Sequence, residues 1–218
     1  SVEKNIRYSA HDSRNSFDLY LPEDFRKQRN YAVVLVHGGG FRTGSKEQKS
    51  IVALSENLAS RGFIVATMNY RLHLAGKGSD TSCTVNMGEG LLKNGFHPDL
   101  RYAVNIAATD VQDVLSWLDT NASRYRLSQI SLMGGSAGAM AALYATFGEL
   151  PGSELDVDIS AVVSLWGGLE DSSLVDQNLE TRLLIIHGDE DTVINPSFSR
   201  DLHQNALDNR MNSSLVPL

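Results

Sequence analysis

The sequence predicts an α/β fold: a mostly parallel central sheet with helices on both faces and an antiparallel hairpin at the N-terminal end. Three observations carry that expectation. First, YAVVLV, FIVATMN, QISLMG, AVVSLWG and RLLIIHG are short runs rich in Val, Ile and Leu that break off at Gly or Asn. Strands buried on both faces have that form. Second, KEQKSIVALSENLASRG, NIAATDVQDVLSWLDTNAS, AGAMAALYATFG and NPSFSRDLHQNALDN lie between or after them and repeat apolar residues at helical spacing. Strands alternating with helices of this length need crossover connections, and crossovers make a parallel sheet. Third, the chain begins differently. NIRYSA and FDLYLPED alternate around the polar turn HDSRNS, the pattern of a hairpin at a sheet edge. SSLVPL, at the other end, has the composition of one more strand.

Length and composition suit one domain over residues 1–218, with 42% hydrophobic and 21% charged residues. A net charge of −7, with no basic block, argues against nucleic acid or anionic membrane surfaces as partners. Cys83 is the single cysteine, so no internal disulfide or cysteine-pair metal motif is available, and an inert loop thiol is expected. No apolar run approaches the roughly 18 residues of a membrane span, and SVEKNIRYS lacks the basic-then-apolar order of a signal peptide. A soluble protein is expected. A chain starting with Ser is compatible with a leader, tag or longer N-terminus removed beforehand, so the compartment stays open.

Residues 72–102, LHLAGKGSDTSCTVNMGEGLLKNGFHPDLRY, resist the pattern, being Gly-rich and polar without a clear period. Two readings stand: an insertion forming a lid or binding loop, or a plain, partly helical connector.

The sharpest chemical signal is QISLMGGSAGAMAALYATF. Gly134, Ser136 and Gly138 form G-x-S-x-G between a strand pattern and a helix pattern. In such an elbow the turn is too tight for side chains at the flanking positions, and the Ser hydroxyl stands above the sheet. A helix starting at Ala137 would aim its positive end at a tetrahedral oxyanion, with the Ala137 N–H as one donor. VVLVHGGGFRTGS offers the other donors: three glycines after a buried strand let the backbone approach a substrate closely.

HGGGF, MNYRL, GGSAG and HGDEDTVI, in that order, resemble an α/β-hydrolase of the carboxylesterase kind, near the hormone-sensitive-lipase-like and bacterial feruloyl-esterase-like groups. The resemblance spans residues 31–71 and 104–209. It implies the α/β-hydrolase fold, hydrolysis of a small-molecule carboxylic ester, and no metal or organic cofactor. It also implies Ser136 as nucleophile, Gly39, Gly40 and Ala137 as oxyanion donors, and Asn69, Tyr70 and Arg71 as support for the glycine loop. Asp191 is the implied catalytic acid, with Asp189 the alternative. His37 and His187 are implied to shape loops; His11, in the polar hairpin turn, is expected to be solvated.

A serine nucleophile needs a base, and in this fold the order is Ser, acid, His. After Asp191 the sequence holds only His203, inside the helix pattern rather than after the last strand. The base is therefore expected beyond Leu218. Three explanations remain: a chain shortened at its C-terminus, a natural short form or pseudoenzyme, or rescue by His97, His73 or His203. Turnover by these residues alone is expected to be impaired. A serine peptidase or amidase on the same fold and a non-catalytic binding module are the rival readings. Trp166 is a candidate pocket residue and Trp117 a core one; the acyl and alcohol groups and the oligomeric state are not legible.

Overall fold

The computed structural model describes residues 1–24, 26, 28–78, 84–86, 92–150, 155–177 and 180–218. The hairpin at the start is formed by β1 (Val2–Arg7) and β2 (Ser16–Tyr20), which pair antiparallel. Three units follow in which a strand leads into a helix: β3 (Tyr31–Val36) with α1 (Lys49–Ser60), β7 (Gln129–Gly135) with α4 (Ala137–Phe147), and β9 (Arg182–His187) with α5 (Ser197–Asp208). The sheet is completed by β4 (Ile64–Met68), β8 (Asp158–Leu165) and β10 (Ser213–Pro217). Its order is β1-β2-β4-β3-β7-β8-β9-β10. From β4 to β10 all neighbours run parallel, as the apolar runs predict.

Helices lie on both faces, but unequally. The long α2 (Pro98–Thr120), α4 and α5 cover one face, where Leu132, Val162 and Leu183 are register partners with almost no exposure. On the other face α1 packs its Leu54 and Leu58 against Val33, Leu35 and Val65. That cover stops near Met133. Beyond it, the register rows Val163–Leu184 and Leu165–Ile186–Val216 remain partly exposed, although the sequence reads as strands buried on both sides.

Within residues 72–102, Leu74 is buried and donates its N–H to the Phe41 carbonyl at 3.0 Å, and β5 (Thr84–Asn86) pairs antiparallel with β6 (Leu92–Asn94). Residues 79–83, Cys83 included, and 87–91 of the expected lid lie outside the described residues. α2 starts at Pro98, not near Asn105 as the periodicity suggests. Its cap explains the early start. Pro98 has no N–H to leave unpaired, and His97 Nδ1 accepts the Asp99 N–H at 3.3 Å. A four-residue turn of helix, α3 (Ala122–Tyr125), follows.

Two ion pairs tie these elements together. Arg71 meets the fully buried Asp110 of α2 at 2.8 Å. Lys46 sits 2.7 Å from Asp18 of β2, with 2% and 5% of the two side chains exposed, and its Nζ also donates to Asn5 Oδ1. A buried charge that loses its partner is far costlier than a pair replaced whole. Lys46→Ala is therefore expected to cost about 3–5 kcal/mol, and Lys46→Met with Asp18→Leu to recover much of it. Urea unfolding of the three proteins checks this, and a single-variant loss below about 1 kcal/mol would refute the role given to the pair.

Candidate active site

β7 runs into α4 with one residue between them, so the chain must reverse at Ser136. It does so at φ 54° and ψ −123°, a conformation that costs a non-glycine residue about 1–3 kcal/mol. Two hydrogen bonds hold it there: the Ser136 N–H donates to the Leu165 carbonyl at 2.9 Å, and the Ser136 carbonyl accepts from Met140 at 3.0 Å. The flanking glycines have the steric role that the sequence suggests. A Cβ on Gly138 would lie 2.2 Å from the Val36 carbonyl oxygen, and one on Gly134 would lie 2.4 Å from the Gly138 carbonyl carbon.

The glycine loop after β3 rests against this elbow. A Cβ on Gly38 would lie 3.0 Å from the Gly135 carbonyl oxygen and 3.6 Å from Ser136 Cβ. Gly39 (φ 123°) accepts N–H bonds from Arg42 and Thr43, Gly40 follows at φ 61°, and the buried ring of Phe41 pins the far side. Among the described residues, the N–H groups of Gly39, Gly40 and Ala137 and the hydroxyl of Ser136 make no hydrogen bond.

β3, β7 and β9 run parallel, so their ends open on one edge of the sheet, the edge where open α/β sheets bind ligands. Asp191 follows β9, two strands and about 10 Å from β7. Its Oδ1 accepts the N–H groups of Val193 and Ile194 at 2.8 and 3.0 Å, and its Oδ2 lies 3.3 Å from His187 Nε2. The Asp189 side chain is 62% exposed against 20% for Asp191, and among the described residues it pairs with the surface residue Arg200 at 3.6 Å. Leu218 arrives beside the same loop: its N–H donates to the His187 carbonyl, and its carbonyl accepts from Asp189, each at 3.0 Å.

None of the six histidines hydrogen-bonds to Ser136. His37 Nδ1–H donates to the Gly38 carbonyl at 2.7 Å, and its ring stacks on Tyr70 at 4.3 Å. Burial pulls its pKa down to about 4, against the pull of the Gly38 hydrogen bond, so the ring is neutral. His187 is buried between Ser199 Oγ at 2.6 Å and the Ile194 carbonyl at 2.9 Å. His203 meets Ser213 Oγ at 2.7 Å, His73 lies beside Lys77, His97 caps α2, and His11 is exposed in the hairpin loop.

The MNYRL segment braces the glycine loop. Tyr70 donates its hydroxyl to the His37 carbonyl at 2.9 Å, and Asn69 Oδ1 accepts the Lys46 N–H at 2.7 Å. Arg71 is held by Asp110 through both its backbone N–H and its guanidinium. Trp117 packs edge-on against Phe17 in the core, whereas Trp166 (φ 43°, 41% exposed) lies near Gly135. Sequence reasoning missed Lys46, Arg14 and Asp110. Lys46 and Arg14 stand in polar runs that look like solvated surface, and Asp110 is a charged residue within an apolar helix pattern. Among the described residues, no group of three His, Cys, Asp or Glu side chains suits a metal ion, and no helix is long and apolar enough to cross a membrane.

Esterases are among the known proteins with similar sequences or structures. The BD-FAE family model matches residues 17–79, from β2 through the glycine loop to the segment after β4. Gut esterase 1 of Caenorhabditis elegans is 26% identical over 133 residues, which is 61% of this chain and 21% of that protein. The match thus spans about a fifth of that relative's length. The native esterase Est2 of the planctomycete Thermogutta terrifontis has a TM-score of 0.70 at 18% identity, covering 100% of this chain and 80% of its own. The same enzyme phosphorylated by paraoxon gives 0.69 at 19%, covering 100% and 81%. A truncated carbohydrate esterase from gut microbiota gives 0.68 at 16%, covering 100% and 87%. The fold is that of the α/β-hydrolases, and the resemblance to carboxylesterases of that fold is borne out.

The buried His37 makes a pH prediction. Its folded pKa of about 4 lies below the ordinary 6.5, so between those values the unfolded chain binds a proton that the folded chain does not. Stability should therefore fall as the pH drops from 6.5 towards 4. His37→Gln should flatten that slope by up to about 1.4 kcal/mol per pH unit, and equal slopes in denaturant titrations would refute it.

Proposed function

We propose that this chain is the core of a serine carboxylesterase acting on small-molecule esters, with Ser136 as nucleophile. The observation that carries the reading is the positive φ of Ser136, held between Gly134 and Gly138 with the glycine loop against it. A strained serine with a free hydroxyl at a strand-to-helix turn is an expensive feature for a fold to maintain without a use. The esterase names of its relatives support the same reaction class.

In this mechanism Ser136 Oγ attacks the acyl carbon and gives its proton to a histidine. The oxyanion that forms is held by the N–H groups of Gly39, Gly40 and Ala137, and the positive end of α4 favours it. The histidine then protonates the departing alcohol, and water, activated in the same way, cleaves the acyl-Ser136 ester. Asp191 fixes the tautomer of that histidine, for which we propose a position after β10. The position of Leu218 beside the Asp191 loop supports this, because a residue placed after it would leave the sheet at the site. Residues 1–218 by themselves would then keep the oxyanion donors and turn over slowly, at roughly 10³- to 10⁴-fold over water.

The test is intact mass with and without a fluorophosphonate probe, together with hydrolysis of a short-chain aryl ester and its matched anilide, on residues 1–218 and on a C-terminally extended protein. The extended protein should take up one adduct, lose it in Ser136→Ala, and prefer the ester to the anilide. Asp191→Asn should lower kcat by about 10⁴-fold, whereas Asp189→Asn should change it less than about threefold. Absence of an adduct on both forms, or an adduct that survives Ser136→Ala, would reject the proposal.

A further inference from the structure

We infer that Arg14, in the N-terminal hairpin, is a positioning residue for the glycine loop, its guanidinium bridging the loop to the segment that braces it. The inference rests on the role proposed above for Gly39 and Gly40.

Arg14 lies between β1 and β2, in a turn that is organised in its own right. Its N–H donates to Asp12 Oδ1 at 2.7 Å, and its carbonyl accepts from Ser16 at 2.6 Å. Arg7 fastens the same turn by donating to the carbonyls of Ser9, Asp12 and Ser13 at 2.6–2.9 Å. From this base the Arg14 side chain reaches two segments far from it in sequence. Nη2 donates to the Gly44 carbonyl at 2.8 Å, and Nε points at the Tyr70 carbonyl at 3.4 Å. Among the described residues no carboxylate lies within ion-pair distance of the guanidinium, so its donors serve backbone carbonyls.

Gly44 is the sensitive point. A Cβ there would lie 2.5 Å from both the Gly38 carbonyl oxygen and His37 Nδ1, so Gly44 is packed directly against the start of the glycine loop. Gly38 in turn abuts the elbow at Ser136. A shift of Gly44 therefore reaches the proposed oxyanion donors through two backbone contacts. The Tyr70 end runs in parallel, because Tyr70 holds the His37 carbonyl with its hydroxyl and the His37 ring by stacking. A planar fork can bridge two carbonyls on different segments; a lysine ammonium, a point charge on a flexible stem, cannot hold both in one geometry.

The charge has a second effect. His37 donates Nδ1–H to Gly38 and needs to stay neutral in its buried position. Arg14 disfavours its protonation and Glu47 favours it, both being weaker than burial itself. Removing the guanidinium should thus loosen the loop and make His37 easier to protonate.

The experiment uses the C-terminally extended protein and the variants Arg14→Gln and Arg14→Lys, with kcat, KM, melting temperature and the NMR titration of the His37 ring read for each. Arg14→Gln should lower kcat about tenfold with KM within about twofold, and shift the His37 titration upward. Arg14→Lys should restore the titration, which needs only the charge, and leave kcat low, because it lacks the fork. Unchanged kcat in Arg14→Gln overturns the inference. So does a fall in melting temperature and activity with no change at His37, which would make Arg14 merely structural. If the parent protein shows neither turnover nor labelling, the esterase reading fails, while the His37 titration still tests whether Arg14 acts on the loop.

Discussion

The contact on which the rest of this structure depends is between two backbones. Helix α4 meets the end of β3 at Gly138, whose Cα lies so near the carbonyls of Val36 and His37 that no side chain fits between them. That approach fixes where α4 begins, and because β7 delivers the chain to it without a loop, Ser136 has no choice but the left-handed region. The same approach brings the end of β3 beside the elbow, so whatever follows Val36 has to pass over Ser136. Three glycines do so with little bulk. The Ser136 elbow, the helix N-terminus and the glycine loop are thus consequences of one close packing, and none of them is placed independently.

A loop with this many positive-φ residues has little intrinsic preference for one shape, and its order is imposed from outside. Tyr70 and His37 form a stacked, hydrogen-bonded pair at its start, Phe41 plugs its middle, and Lys46 anchors its end through the Asn69 side chain and the buried Asp18. These are polar groups in a poorly hydrated setting, where a satisfied hydrogen bond is strong and an orphaned one is costly. The loop is rigid because alternative arrangements would strand several of those groups at once.

Sequence reading succeeded where one physical rule acts alone. Apolar runs of strand length, helical spacing, and glycines at positions too tight for a Cβ gave the sheet, most helices and the elbow. It was less informative where a residue's partner is distant in the chain. Lys46 opens what looks like a solvated helix start, yet it is buried by a strand 28 residues earlier. Arg14 sits in a turn whose composition says only that it is polar. The motif leaves Asp189 as an alternative to Asp191, and the N–H groups of Val193 and Ile194, the nearby His187 and the lower exposure of Asp191 distinguish the two. The start of α2 was hidden because His is a weak capping signal. Helices do cover both faces, but unequally: Val163, Leu184 and Ile186 are apolar without being fully enclosed.

That unequal cover divides the site by local stability. Ser136 and the glycine loop are suspended from β3 and β7, which α1 supports on one side and α4 on the other. Asp191 hangs from β9, which is packed from one side and followed by a sheet edge. Within residues 1–218, opening β9 and β10 exposes less buried surface than opening β3 and β7, so it lies lower on the ladder of partial unfolding. Among residues 1–218 the Asp191 loop should therefore open more readily than the elbow.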